Sequence, residues 1–454
     1  MDYVEERIAN SIQELALVNA DAGPGKTYTL KTFVARMLLA KKQVLCCAFT
    51  GIASTLLLNG CTFHSHFKAS RDPELDRGLN IRKKTKLASY LIQTNIIVID
   101  EATQLHKHYL EGLDDKLRDL KGTNLPFGGV SVILAGDFKQ TLPIITRSHQ
   151  LAQVRVCIKN SHLWNLFKSA ENQFSFTINM RLEQVTDIEE HRQLQEFQKF
   201  LLNVGKGDLP ANIDGNVNIP DELVASGFET EEAMQDAAIE QVYGDINEHL
   251  NNSEYMMSNV IICPHNRNVK KINDKIVDLM TTKEYISYSS DRASDMSLEI
   301  CEEVLNSFEV SGLPSHVLRL KEKMPVMLMR NMSKQKKLCN GTRLIVEKLS
   351  GSLLYAKNPL TNEEVILPRF ELESDIKKVG VLFKRRQFPV TPAFTFTANK
   401  SQGQTIQGKV AIYLWEDCFS HGQLYVASSR ATHPLHLKFY IKNYVVGTTN
   451  IVLR

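Results

Sequence analysis

Ala20-Asp21-Ala22-Gly23-Pro24-Gly25-Lys26-Thr27 stands between an apolar run, Leu15 to Val18, and a stretch of helical character from Tyr28 to Leu39. Strand, glycine-rich loop and helix in that order make a phosphate-binding loop, in which successive backbone N–H groups and a helix N-terminus surround an anion. Ala22, Gly23, Pro24 and Gly25 form the cradle, Lys26 reaches the β- and γ-phosphates, and Thr27 offers a hydroxyl to Mg²⁺. The common pattern G-x-x-x-x-G-K-[ST] has Gly where this chain has Ala20. An alanine serves there as long as the backbone does not need a positive φ. The loop points to nucleotide hydrolysis.

Ile96-Ile97-Val98-Ile99 is a continuous apolar, β-branched run, the pattern of a strand buried on both faces of a parallel sheet. It ends in Asp100-Glu101-Ala102, and carboxylates just past the C-terminal end of such a strand sit where α/β sheets bind ligands. Asp100 suits the Mg²⁺ shell, and Glu101 can accept a proton from an attacking water.

With 454 residues the chain has room for about three domains. No uninterrupted apolar stretch approaches the roughly 20 residues of a membrane span. Met1-Asp2-Tyr3-Val4-Glu5-Glu6-Arg7 is unlike a secretory signal, so an intracellular protein is expected. Eight scattered cysteines without a Cys-x-x-Cys pair suggest neither zinc nor a disulfide framework. His64-Ser65-His66 and His106-Lys107-His108 have no second ligand cluster near them in sequence. Net charge is +3, from 54 basic and 51 acidic residues, which argues against a nucleic-acid footprint over the whole surface but not against a local groove. The basic run Lys384-Arg385-Arg386 could also serve nuclear import in a eukaryotic or viral setting.

Residues 1–165 alternate strands (15–19, 43–49, 96–99, 130–135) with helices (26–39, 51–58, 104–120), around a polar excursion at 68–90. Segment 205–255 looks like a connector or insertion. Alternation resumes at Val260-Ile261-Ile262-Cys263 and is interrupted by a compact β-rich piece from Pro325 to Pro389. It returns with Ala411–Leu414, a helix near His421–Ser429 and a last strand at Leu437–Ile441.

From residue 47 onward the chain resembles superfamily one DNA helicases, and the Pif family most, including the helicase region of Helitron transposons. Ala48-Phe49-Thr50-Gly51-Ile52-Ala53 with Thr62-Phe63-His64-Ser65 resembles motif Ia, and Asp100-Glu101-Ala102 resembles motif II. Gly136-Asp137-Phe138-Lys139-Gln140 resembles motif III, and Asn179-Met180-Arg181-Leu182 motif IV. Thr397-Ala398-Asn399-Lys400-Ser401-Gln402-Gly403-Gln404-Thr405 resembles motif V, and Gln423-Leu424-Tyr425-Val426-Ala427-Ser428-Ser429-Arg430 motif VI. Leu338-Cys339-Asn340-Gly341-Thr342-Arg343 resembles the entry to a small Src-homology-like barrel. The family's Leu-x-x-Glu-Gln element, whose glutamine reads adenine, has no counterpart in Met1–Arg7, so strict ATP preference is not implied.

The resemblance implies an α/β fold with two RecA-like P-loop NTPase domains, the second interrupted by a small β-barrel insert. It divides the chain at 1–165, at 166–324 with 390–454, and at 325–389 for the insert. It implies ATP with Mg²⁺, and partners in single-stranded DNA and duplex junctions, for a monomer that unwinds 5′ to 3′. Catalysis would fall to Lys26, Glu101, Gln140 and two arginine fingers, Arg181 and Arg430, both entering from the second lobe. Gln402 and Gly403 would couple nucleotide to DNA. Thr50, Gly51, His64 and Phe67, with Thr397, Asn399 and Lys400, would contact the strand, and an aromatic such as Phe67 could stack on a base. A viral or RecD-like RNA helicase shares the same motor. The alternative from another class is a transposon or viral remnant that binds DNA without hydrolysing ATP.

Overall fold

The computed structural model describes the chain except residues 22, 71, 75–77, 144–149, 181, 214, 295–299, 311, 334, 375–379, 443–446 and 454, and the side chains of 150, 151, 170 and 184. Two compact units result. The first comprises Met1–Leu209, Phe419–Ser429 and Asn450–Arg454, and the second Pro210–Cys418 and Arg430–Thr449.

The first unit is built on six parallel strands: β1 (Leu15–Ala20), β2 (Val44–Ala48), β3 (Cys61–Thr62), β4 (Ile96–Asp100), β5 (Ser131–Gly136) and β6 (Gln173–Phe176). Their order across the sheet is β3-β2-β4-β5-β1-β6. Side chains alternate faces along a strand, so each apolar run feeds two cores. Ala16, Val18, Cys46, Val98 and Ile133 pack on one face with Leu30, Phe33, Val34 and Met37 of the helix Lys26–Leu39. Leu17, Leu45, Ile97, Ile99 and Leu134 pack on the other with Leu110, Leu113 and Leu117 of the helix Lys107–Lys121. That double burial explains why β4 reads as uninterrupted apolar sequence.

The expected first-lobe boundary at 165 falls short. β6 adds to the free side of β1 in parallel register, from Leu17↔Gln173 to Ala20↔Phe176, and this draws residues up to 209 into the first unit. The helix Gln423–Ser428, expected in the second lobe, also clusters with the first. Gly205, in the helix Ile188–Lys206, explains the close approach. A Cβ there would lie 2.9 Å from Cδ2 of Tyr425 and 2.7 Å from Cδ of Lys139.

In the second unit the parallel sheet runs Thr395–Thr397, Val260–Cys263, Val410–Leu414, Leu437–Ile441, Val224–Ala225. The β-rich insert is an antiparallel five-stranded sheet in the order Glu363–Pro368, Leu353–Asn358, Arg343–Ser350, Pro325–Leu328, Val390–Pro392. Among the described residues no pairing joins its two edge strands into the expected barrel. β pairing also begins earlier than expected. Ser290–Ala293 joins Phe383–Gln387, and Glu284–Tyr288 joins Val317–Lys321. Among the described residues, no helix is long and apolar enough to cross a membrane.

Candidate nucleotide and DNA sites

The phosphate loop follows from its glycines. Ala20 ends β1 in paired register with Phe176, in a strand conformation an alanine adopts freely. The left-handed turns fall instead at Gly23 (φ +100°) and Gly25 (φ +80°), where an L side chain is strained. Gly25 opens the 14-residue helix Lys26–Leu39, whose first N–H groups have no intrahelical acceptor. Ala22 lies outside the described residues. Asn179 and Met180 stand over this loop: a Cβ on Gly23 would lie 2.6 Å from Asn179 Oδ1, and one on Gly25 would lie 3.6 Å from Met180 Cγ.

Lys26 reaches the end of β4. Its Nζ lies 2.7 Å from Asp100 Oδ1 and 3.0 Å from Glu101 Oε1. Burial alone would lower the lysine's pKa, but the two carboxylates outweigh it and hold the ammonium above its ordinary value. Burial pushes the Asp100 carboxyl up, and Lys26 partly offsets this. Glu101 adopts a left-handed backbone (φ 52°, ψ 40°) and donates its N–H to Asp100 Oδ1 at 2.8 Å. Both carboxylates meet Lys26, while Glu101 Oε2 is buried without a hydrogen-bond partner among the described residues.

Beyond β5 comes the stretch Asp137–Gln140. Gln140 is 7% exposed, and its Nε2 faces Asp137 Oδ2 at 3.4 Å while Oε1 is buried without a partner among the described residues. Asp137 is wholly buried. Burial raises its carboxyl's pKa, opposed by the Lys139 charge and by the Tyr425 hydroxyl, which donates to Oδ2 at 2.8 Å. Lys139 in turn pairs with Asp21 of the phosphate loop. The chain brings Lys26, Asp100, Glu101 and Gln140 to the strand ends of one sheet, where parallel sheets bind ligands.

Other expected residues fall elsewhere. Arg181 lies outside the described residues, and the segment that carries it belongs to the first unit, not the second. Arg430, in the second unit, is 5% exposed and donates from Nη1 to the Gln404 carbonyl at 2.8 Å. Gln402 is buried and Gly403 takes a positive φ of 78°, in the same unit. Thr397 ends the strand Thr395–Thr397, Asn399 is half-buried and Lys400 exposed on the short helix after it.

On the first unit, Thr50 caps the helix Gly51–Leu56 by accepting the Ala53 N–H, and Gly51 is buried at that helix's start. His64 is half-buried, with its ring 5.2 Å from Phe49 and Nε2 3.1 Å from the Tyr109 hydroxyl. Phe67 is a correction. It is wholly buried, its ring 4.7 Å from that of Phe63, and so cannot stack on a base. Sequence reasoning missed Asp137, Tyr425 and Asn179 as site residues. Asp137 carried a signal: like Asp100, it is a carboxylate directly after a buried strand.

Residues 1–215 match the family described as PIF1-like helicase, and residues 303–349 match the DNA helicase Pif1 2B domain. The chain belongs to the Pif1-like helicases. The ATP-dependent DNA helicase Pif1 of Psychrobacter sp. (strain PRwf-1) is 25% identical over 91% of this chain and 63% of that protein. The ATP-dependent DNA helicase PIF1 of Candida albicans is 22% identical over 95% of this chain and 52% of that protein. This Pif1-like chain therefore spans less than two thirds of either relative. The crystal structure of Bacteroides Pif1 in complex with ADP-AlF3 and ssDNA is similar with a TM-score of 0.67 and 21% identity. That likeness covers 100% of this chain and 93% of the other, and it establishes the two RecA-like domains as the shared fold.

Proposed function

We propose that this Pif1-like chain is an ATP-dependent DNA helicase that travels on single-stranded DNA and parts duplex, 5′ to 3′. The observation that carries the reading is Lys26 held between Asp100 and Glu101 at the mouth of a glycine loop, with two buried oxygens, Glu101 Oε2 and Gln140 Oε1, that have no partner among the described residues. Buried oxygens without partners are costly unless a ligand or water completes them. The names of the Psychrobacter and Candida relatives, and the ADP-AlF3 and ssDNA in the Bacteroides complex, support the same reading.

The residues fit a nucleotide with its metal. Thr27 and Asp100 would hold Mg²⁺, which when bound neutralises charge on the β- and γ-phosphate oxygens. Lys26 would turn from its carboxylates to those phosphates. Glu101 would take the proton of the attacking water as ADP leaves, with Gln140 orienting that water. Arg181 and Arg430 would stabilise charge on the transferring group; for Arg430 this means giving up the Gln404 carbonyl. Gln402 and Gly403 would relay the nucleotide state to the DNA contacts, which would fall to Thr50, Gly51, His64, Thr397, Asn399 and Lys400. Hydroxyl, amide and ammonium groups grip phosphates without reading sequence. The chain would work as a monomer inside the cell, in the nucleus of a eukaryotic host.

ATP turnover with and without single-stranded DNA, beside Glu101→Gln, tests this. DNA-stimulated turnover that vanishes in the variant supports the motor. A folded, DNA-binding chain without turnover would favour the non-hydrolysing remnant, and stimulation by RNA in place of DNA would favour the RNA motor.

A further inference from the structure

The stretch Asp137–Gln140 is gripped at four successive residues by His421–Tyr425, a segment nearly 300 positions later that belongs to the same unit. The Tyr425 hydroxyl donates to Asp137 Oδ2 at 2.8 Å. His421 Nδ1 accepts the Leu453 N–H at 2.9 Å, which leaves Nε2–H to donate to the Phe138 carbonyl at 3.1 Å. Gly422 lies so close that a Cβ on it would sit 2.4 Å from the Lys139 carbonyl oxygen and 2.8 Å from the Gln140 carbonyl carbon. Tyr425 is 1% exposed, so its hydroxyl has little freedom to turn away.

Asp137 Oδ2 therefore receives two donors, the Tyr425 hydroxyl and the Gln140 amide. Oδ1 receives the Lys139 N–H at 3.1 Å. An ionised carboxylate only accepts hydrogen bonds. It fixes which end of the Gln140 amide faces it: Nε2 turns inward, and Oε1 is the end left for another partner. A protonated Asp137 would donate instead and favour the reverse orientation.

We propose that Tyr425 is a positioning residue for hydrolysis: through the Asp137 carboxylate it holds the Gln140 amide with Oε1 presented to the attacking water. The proposal rests on the ATPase reading above. Removing the hydroxyl takes one hydrogen bond from a buried charge, which then gains a proton more readily. The charged groups facing Asp137 are Lys139, with Nζ 3.6 Å from Oδ1, and Asp21 beyond it. Both remain in the variant, so any change in its titration comes from Tyr425.

The test is Tyr425→Phe in the full chain, which keeps the ring that packs beside Gly205. Turnover is measured with saturating single-stranded DNA across pH, together with KM for ATP and binding of a labelled oligonucleotide. A drop of about tenfold in kcat is expected, the scale of one hydrogen bond to a charged group. KM for ATP and DNA affinity should stay near wild type, and the acid limb of the kcat profile should move to higher pH. In Gln140→Ala, adding Tyr425→Phe should cost no further activity. Multiplying losses in the double variant, or an unmoved acid limb, would overturn the role. A melting temperature that falls together with KM and DNA affinity would show Tyr425 to be merely structural and would overturn it equally. A wild-type chain without turnover would instead bring down the ATPase reading, and this proposal with it.

Discussion

Gly23→Ala isolates what the loop's backbone contributes. Gly23 sits at φ +100°, and an L side chain in the left-handed region costs roughly 1–2 kcal/mol. The new Cβ would also meet Asn179 Oδ1 at 2.6 Å and Cγ at 3.1 Å. These atoms end a side chain that can swing aside, so backbone strain should dominate. A chain that relieves this strain by reshaping the loop loses the N–H alignment that suits a phosphate. The same 1–2 kcal/mol then appears as about 5- to 30-fold weaker nucleotide binding. Two companions separate the causes. Gly122→Ala has φ +63° with open space around its Cβ, far from the loop, so its strain should appear in stability and not in nucleotide affinity. Gly23→Ala with Asn179→Ala removes the contact but keeps the strain, and should recover little. A fluorescent ADP analogue titrated against each variant supplies the affinities, and urea unfolding supplies the stabilities. Wild-type affinity in Gly23→Ala, or full recovery in the double variant, would refute the assignment of strain.

Lys26→Ala should abolish ATP turnover and leave binding of a labelled single strand near wild type; retained turnover would remove Lys26 from the site. Arg430→Ala should lower kcat by roughly 10³–10⁵, as an arginine finger does elsewhere, with nucleotide affinity nearly unchanged. A defect confined to affinity would assign Arg430 to binding alone. Phe67→Ala should destabilise the first unit by about 3–5 kcal/mol, the range for a buried phenylalanine. Its DNA affinity at a temperature where it stays folded should match wild type, and a selective loss of DNA binding would restore the stacking role.

What was legible in the sequence is what local pattern can encode. The runs at Leu15–Val18 and Ile96–Ile99 are apolar because both faces of the sheet are covered, and both strands lie where that pattern puts them. The phosphate loop was legible for the same kind of reason, since Gly23 and Gly25 stand where the chain needs positive φ. Phe67 was not. A phenylalanine in Phe63–Phe67 reads alike whether it faces a core or a DNA strand, and only the ring of Phe63 against it decides. Nor was the unit boundary legible. Gln173–Phe176 alternates polar and apolar residues as any edge strand does, and nothing local says that its partner is β1. The link from Tyr425 to Asp137 joins residues far apart in the chain, beyond the reach of any spacing argument.

Burial of charge separates scaffold from site in this molecule. Arg385 and Asp291, in the second unit, are both wholly buried side chains. Arg385 gives Nε and Nη2 to the Asp291 carboxylate, at 2.6 to 3.0 Å. Its remaining donors go to the carbonyls of Phe308, Pro314 and Leu305. Asp291 also accepts the Ser289 hydroxyl. That network is saturated, as a buried ion pair must be if its desolvation is to be offset, and it can do no more than hold Ser290–Ala293 to Phe383–Gln387. At the end of β4 the accounting differs. Lys26 pairs with Asp100 and one oxygen of Glu101, yet among the described residues Oε2 of Glu101 is left over, as is Oε1 of Gln140 beside the equally buried Asp137. Burying an oxygen without a partner is costly, and what the loop binds would complete both of these, whereas the Arg385–Asp291 pair in the second unit has nothing left to offer a ligand.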